Sequence, residues 1–102
     1  MNQIYNIRLV FRPALASFLG LDESHRVLTR SFEPGESLAD VLAKLSIEYP
    51  AIASRVFNSK ERRINSLVQI LINGRLLPLA GGGEAPLCNG DEVLFFNAAA
   101  GG

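Results

Sequence analysis

Ser37-Leu38-Ala39-Asp40-Val41-Leu42-Ala43-Lys44-Leu45-Ser46-Ile47-Glu48-Tyr49-Pro50 is the stretch whose reading decides the fold. Leu38, Val41, Leu42, Leu45 and Tyr49 recur at i, i+3, i+4, i+7 and i+11, which draws one apolar stripe down a helix. Ser37 stands at the N-cap position with Asp40 three residues on, the spacing of a capping box. Pro34-Gly35 predicts a turn before the helix, and Pro50 stops it near Tyr49.

Working outward toward the start, His25 to Phe32 reads as a strand, with Val27 and Thr29 alternating against Leu28 and Arg30. Residues 13 to 24 carry Leu15, Phe18, Leu19 and Leu21 at near-helical spacing, interrupted by Gly20 and Asp22-Glu23. They read as a loop or short helical turn. Ile4 to Phe11 reads as the first strand, with Ile7, Leu9 and Phe11 on one face and Arg8 and Val10 on the other; Pro13 ends it. Beyond the helix, Ile52, Val56 and Phe57 suggest one more helical turn. Charged residues 58 to 66 then lead to Leu67-Val68-Gln69-Ile70-Leu71-Ile72, an apolar run expected to be a central strand. Asn73-Gly74 suits a type I′ turn, in which both central residues take positive φ. Arg75 to Leu79 is expected to return as a short partner strand. Gly81-Gly82-Gly83 reads as a flexible connector, and Asn89-Gly90-Asp91 as the last turn before a strand from Glu92 to Phe96. Two strands, one long helix and three more strands predict an α+β domain of β-grasp type, a mixed sheet packed on one main helix.

The chain has 102 residues, which predicts a single domain over 1–102 with a flexible C-terminal tail at 97–102. With 48% hydrophobic residues, its core needs no metal or disulfide staple. Ten basic residues balance ten acidic ones, so there is no surplus to neutralise phosphates, and no nucleic-acid partner is expected. Lys60-Glu61-Arg62-Arg63 is broken by an acid and reads as a solvated loop. A single cysteine excludes an internal disulfide and a four-thiolate metal site. No signal-like opening and no apolar run of about 20 residues is present, so no membrane partner is expected and the localisation is expected to be cytoplasmic.

Few side chains suggest chemistry of their own. His25 lacks an evident orienting partner in sequence and is expected at a strand edge on the surface. Cys88 is expected to be buried or half-buried, since no nearby cation or helix start would lower its pKa. Gly81-Gly82-Gly83-Glu84 lacks the Lys-Ser/Thr and helix of a phosphate loop. Arg75 reads as a solvated turn residue. The isolated chain is therefore not expected to be a catalyst, nor to bind a metal or cofactor itself. The end of the sequence stands apart. Gly101-Gly102 follow the apolar strand closely, and without Cβ atoms they can carry a carboxylate into a narrow site. Phe96 and Leu94 lie on the strand face opposite Phe95 and Val93, so one pair is core and the other can form an apolar docking patch.

Glu33 to Leu42 at the helix start, Ile72-Asn73-Gly74-Arg75 at the turn, Asn89 to Phe96 before the tail and the terminal Ala100-Gly101-Gly102 together resemble the sulfur-carrier branch of the ubiquitin-like superfamily. The likeness is greatest to the small subunit of molybdopterin synthase, with the thiamine-pathway sulfur carrier and the archaeal small modifier proteins as near alternatives. It spans nearly the whole chain. Extra length lies in residues 12–25 and 55–66. Asn97-Ala98-Ala99 stands where the synthase subunit usually carries prolines and a bulkier aliphatic, which moves weight toward a modifier or another carrier.

The resemblance implies activation by partners. An adenylating, E1-like enzyme that uses ATP and magnesium would convert the Gly102 carboxylate into an acyl adenylate. A sulfur donor enzyme would then leave a terminal thiocarboxylate, and a large synthase subunit or another acceptor would receive the sulfur. Protein tagging through Gly102 and tRNA thiolation are the alternative outcomes. The resemblance gives Gly102 the reactive role and Gly101 the role of access, and it puts Phe11, Phe96 and Ala100 in contact with a partner.

Overall fold

The computed structural model describes residues 4–97. Strand β1 (Tyr5–Phe11) is followed by a short helix α1 (Pro13–Phe18), a 3-10 turn (Glu23–His25) and β2 (Val27–Phe32). The main helix α2 (Leu38–Glu48) and a short α3 (Pro50–Arg55) come next, then two-residue strands β3 (Phe57–Asn58) and β4 (Arg63–Ile64). Strand β5 (Val68–Ile72), β6 (Arg75–Leu76), a 3-10 turn (Leu77–Ala80) and β7 (Glu92–Asn97) complete the order. The main sheet runs β2-β1-β7-β5-β6, and β3 pairs with β4 apart from it. Strands β1 and β7 are parallel, and every other neighbouring pair in the sheet is antiparallel. This is the predicted α+β, β-grasp architecture.

Helix α2 starts where its chemistry dictates. Ser37 Oγ accepts from the Asp40 amide at 3.2 Å, and the Asp40 carboxylate accepts from the Ser37 amide at 2.9 Å. Two amides without helical partners are thus satisfied, which contributes about 1 kcal/mol. Leu38, Val41, Leu42 and Leu45 are buried against Ile7, Leu9, Leu28, Phe32, Ile70, Val93 and Phe95 on one sheet face. Tyr49 takes extended angles as the C-cap, because the following Pro50 disfavours the helical region. The expected extra helical turn is α3; Ile52 and Val56 are its buried contacts, while Phe57 passes into β3.

Several boundaries differ from the sequence reading. His25 winds into the 3-10 turn, so β2 begins at Val27. Arg75 returns from the Asn73-Gly74 turn, whose φ values of 51° and 83° fit type I′, but its strand stops at Leu76. Pro78, which has no N–H to give the ladder, bends the chain into a 3-10 turn instead. Hence β7, paired on both sides over several residues, is the central strand, and β5 has only the short β6 beyond it. Asn97 pairs with Val68, so the first residue of the expected tail is the last of β7; the remainder, 98–102, lies outside the described residues.

The glycine connector is held by backbone hydrogen bonds: Gly83 O accepts from the Ala39 amide at 2.9 Å, the Gly82 amide donates to Leu77 O at 2.9 Å, and the Gly81 amide donates to the same oxygen. Gly81 has φ 105°, and a Cβ there would meet that of Ala85 at 2.9 Å. Arg62, expected in a solvated loop, donates from Nη2 to Asp40 Oδ1 at 2.8 Å and grips Glu84 through Nε and Nη2 at 2.8 and 2.9 Å. The fork ties the segment before β4 to the start of α2. It holds the Glu84 carboxyl below its ordinary range, and the Ser37 amide followed by Arg62 does the same for Asp40.

Candidate functional site

Strand β7 alternates sharply between two environments. Val93 and Phe95 are fully buried on the α2 side, while Glu92, Leu94 and Phe96 point to the opposite face, where Glu92 is exposed and Leu94 and Phe96 are half-buried. The sheet register extends that open face. Val27 pairs with Val10, Val10 with Leu94, Leu94 with Leu71, and Leu71 with Leu76. Five apolar side chains therefore form one row across all five strands. Its end members, Val27 and Leu76, are 45% and 42% exposed, and Val10, Leu71 and Leu94 are half-buried. Phe96 lies two positions further along β7, opposite Gln69 and next to the place where the tail leaves.

Charge frames the row on one side. Arg8 Nη1 donates to Glu92 Oε2 at 3.0 Å, with both side chains more than half exposed, so the pair orients more than it stabilises. Asn73 ties the β5–β6 turn to the last turn: its amide nitrogen donates to Asp91 Oδ1 at 2.8 Å, and its Oδ1 accepts from the Glu92 backbone at 3.0 Å. An aspartate could not supply both the donor and the acceptor, which explains asparagine at this position. The turns thereby hold β7 rigid at the centre of the patch. A contiguous apolar row with a polar border is the kind of surface that protein interfaces use.

Phe11 does not belong to it. The expected pairing of Phe11 with Phe96 in one patch is corrected by the parallel register, which sets Phe11 beside Phe95. The two rings stack with centroids 4.6 Å apart and planes 13° from parallel, and Phe11 is 2% exposed. Its parity is that of Ile7 and Leu9, the core face. Phe96 does lie on the open face, partly exposed. Ala100, Gly101 and Gly102 lie outside the described residues. Val10, Val27, Leu71 and Leu76 were missed as patch residues. The two-residue Asn-Gly turn would have paired Leu71 with Leu76, and Val10 was already assigned to the face opposite the core.

Other candidates fall away from this surface. The lone histidine does have a partner, Asp22, with Nδ1 2.7 Å from Oδ1, and its ring meets Tyr49 edge-on at 6.2 Å. The Ser24 hydroxyl, donating to Asp22 Oδ1 at 2.6 Å, and then His25 hold the Asp22 carboxyl down at about 2. These groups close an exposed turn. Cys88 is exposed, not buried or half-buried, because the Asn89-Gly90-Asp91 turn lifts it out; its amide donates to Asp91 Oδ2 at 2.9 Å. Among the described residues, no three of His, Cys, Asp and Glu gather to hold a metal, and no helix is long and apolar enough to cross a membrane.

Comparison with known proteins agrees with this architecture. No curated protein sequence matches the chain. Among solved structures, SAMP1 from Haloferax volcanii is 27% identical, covering 95% of this chain and 99% of that one, with a TM-score of 0.69. A chain of the Amycolatopsis orientalis BexX/CysO complex is similar at 21% identity, covering 94% of this chain and 99% of that one, with a TM-score of 0.65. A Pyrococcus furiosus protein provisionally called molybdopterin converting factor, subunit 1, is 16% identical, covering 91% and 97%, TM-score 0.66. The last two likenesses establish the fold alone. The pattern of the ThiS family matches residues 23–102, from the turn before β2 through both terminal glycines. The chain belongs to the ThiS family, among the ubiquitin-like sulfur carriers and modifiers.

Proposed function

We propose that the chain is a sulfur carrier whose Gly102 carboxylate is activated by a partner and delivered as a thiocarboxylate to molybdopterin synthesis. One observation carries this reading: the central strand of an open, apolar sheet face runs directly into Ala98-Ala99-Ala100-Gly101-Gly102. The patch supplies docking free energy that a thin tail cannot, and the tail supplies reach. A carboxylate is a poor acylating agent because its charge is delocalised and oxide leaves badly. The Gly102 oxygen therefore attacks the α-phosphorus of ATP in an E1-like enzyme, and pyrophosphate leaves. The terminal sulfur of a donor enzyme's persulfide displaces AMP, and a second thiol cleaves the resulting acyl disulfide to free the thiocarboxylate. ATP and magnesium belong to the activating enzyme; this chain contributes the acyl end, its access through Gly101, and the docking face with Phe96 and Ala100 at the exit.

The pathway is tested by supplying thiocarboxylated chain to the large subunit of a molybdopterin synthase with a sulfur-free pterin precursor. Sulfur should leave the chain and appear in the pterin, returning Gly102 to a carboxylate. The 27% identity to SAMP1 favours a second reading, conjugation of Gly102 to lysines of other proteins. Lysine-linked Gly-Gly remnants in digests, with no sulfur transferred to the pterin, would establish that reading in place of the first.

A further inference from the structure

Strand β2 is one border of the main sheet, and among the described residues only β1 pairs with it. The Phe11 amide donates to Arg26 O at 2.8 Å, and hydrogen-bonded pairs alternate along an antiparallel ladder. Leu28, Arg30 and Phe32 therefore direct their backbone groups to β1. Val27, Thr29 and Ser31 turn theirs outward, and their side chains stand exposed on the open face. Sheet borders are ordinarily guarded against pairing by charge, proline or a bulge. Here the three outward residues are uncharged, two are β-branched, and the register with β1 runs unbroken from Val27 to Phe32. Arg30, the one charge of the strand, lies on the helix side, where Nη2 donates to Glu48 Oε1 at 2.7 Å. Its Nη1 reaches Thr29 O at 3.1 Å, and that carbonyl keeps a second lone pair.

We propose that β2 pairs antiparallel with β2 of a second copy of this chain, joining two five-stranded sheets into one. The register that uses all three outward residues puts the two-fold axis at Thr29. Thr29 then faces Thr29, and Val27 faces Ser31 in both directions. Charge selects this occupant. The groove between β2 and α2 carries Arg30 and Lys44, but Glu48 and Glu36 neutralise them at 2.7 Å each, so nothing there draws an acidic or a basic peptide. A neutral border matches itself, and a chain with no net charge repels its own copy little. Threonine opposite threonine is a favoured cross-strand pair. Only two short borders are joined, so the dimer is weak and depends on concentration. The axis stands perpendicular to the sheet, so both open faces look one way and both α2 helices the other. Two docking rows side by side would hold a two-site partner through avidity.

Sedimentation equilibrium of the full chain at up to about 1 mM, beside two double variants, tests this. Val27→Lys with Ser31→Lys sets like charges opposite each other in this register, and Val27→Glu with Ser31→Glu does the same. Their neighbours in β1, Val10 and Asn6, are uncharged, so each variant should fold, as circular dichroism checks. The parent should dimerise reversibly. Each variant alone should associate at least about tenfold more weakly, and an equal mixture of the two should recover the dimer. Amide NMR signals of Val27, Thr29 and Ser31 should shift with parent concentration. A parent that stays monomeric, a dimer that both variants leave intact, or shifts centred on Leu71, Leu76 and Leu94 would overturn the proposal. None of these readouts involves activation of Gly102, so the pairing and the carrier reading fail separately.

Discussion

Phe95→Ala should lower stability by about 3–5 kcal/mol, the usual cost of removing a buried phenyl ring. Phe95 is fully buried in the central strand and stacks on Phe11, so its loss also leaves that ring without its partner. The strands on either side of β7 are tied by their own ladders, and α2 is tied by its capping box, so the space cannot collapse easily. For a domain of this size the melting temperature should fall by about 12–40 °C. Thermal unfolding followed by circular dichroism measures it. A fall of only a few degrees would mean that the Phe11–Phe95 stack is not the centre of the core.

Leu94→Arg, one residue away, should do the opposite. Leu94 occupies the middle of the five-strand row on the open face, where a long charged side chain can reach water, so the fold should lose no more than about 1 kcal/mol. Docking is another matter. An arginine at the centre of an apolar interface removes an anchor and demands burial of an unpaired charge, so affinity for the activating enzyme should drop at least 30-fold, a loss of about 2 kcal/mol or more. Val27→Arg, at the sheet edge, should cost less. Binding by calorimetry alongside thermal melts separates the two effects. Unchanged binding by the Leu94 variant would place the docking surface elsewhere on the molecule.

The contrast between these neighbours shows what the sequence could and could not disclose. Helix α2 was legible because its signals are local: Ser37 and Asp40 three apart, a stripe at helical spacing, and Pro50. The Asn73-Gly74 turn was legible for the same reason, since positive φ at both positions is written in two residues. Parity within a strand was also legible, and Ile7, Leu9 and Phe11 do share a face. Which face is open depends on pairing between β1 and β7, more than eighty positions apart, and no local pattern encodes that register. The resemblance put Phe11 at the surface; the parallel ladder puts it under the helix. Pro78 carried a signal that the reading passed over, because an apolar run from Leu76 to Leu79 imitates a strand. Arg62 could not be placed at all from sequence, as its partners Asp40 and Glu84 lie 22 positions away on either side.

The carrier account depends on the Gly102 carboxylate being chemically charged by another enzyme. Intact-mass spectrometry of the full chain after incubation with a cognate adenylating enzyme, ATP, magnesium and a persulfide donor tests this most directly. The account predicts a mass increase equal to the exchange of one oxygen for sulfur, located in the C-terminal peptide and missing from a chain that lacks Gly101 and Gly102. An unchanged mass under conditions that thiolate a proven carrier, or sulfur retained by the shortened chain, would contradict it.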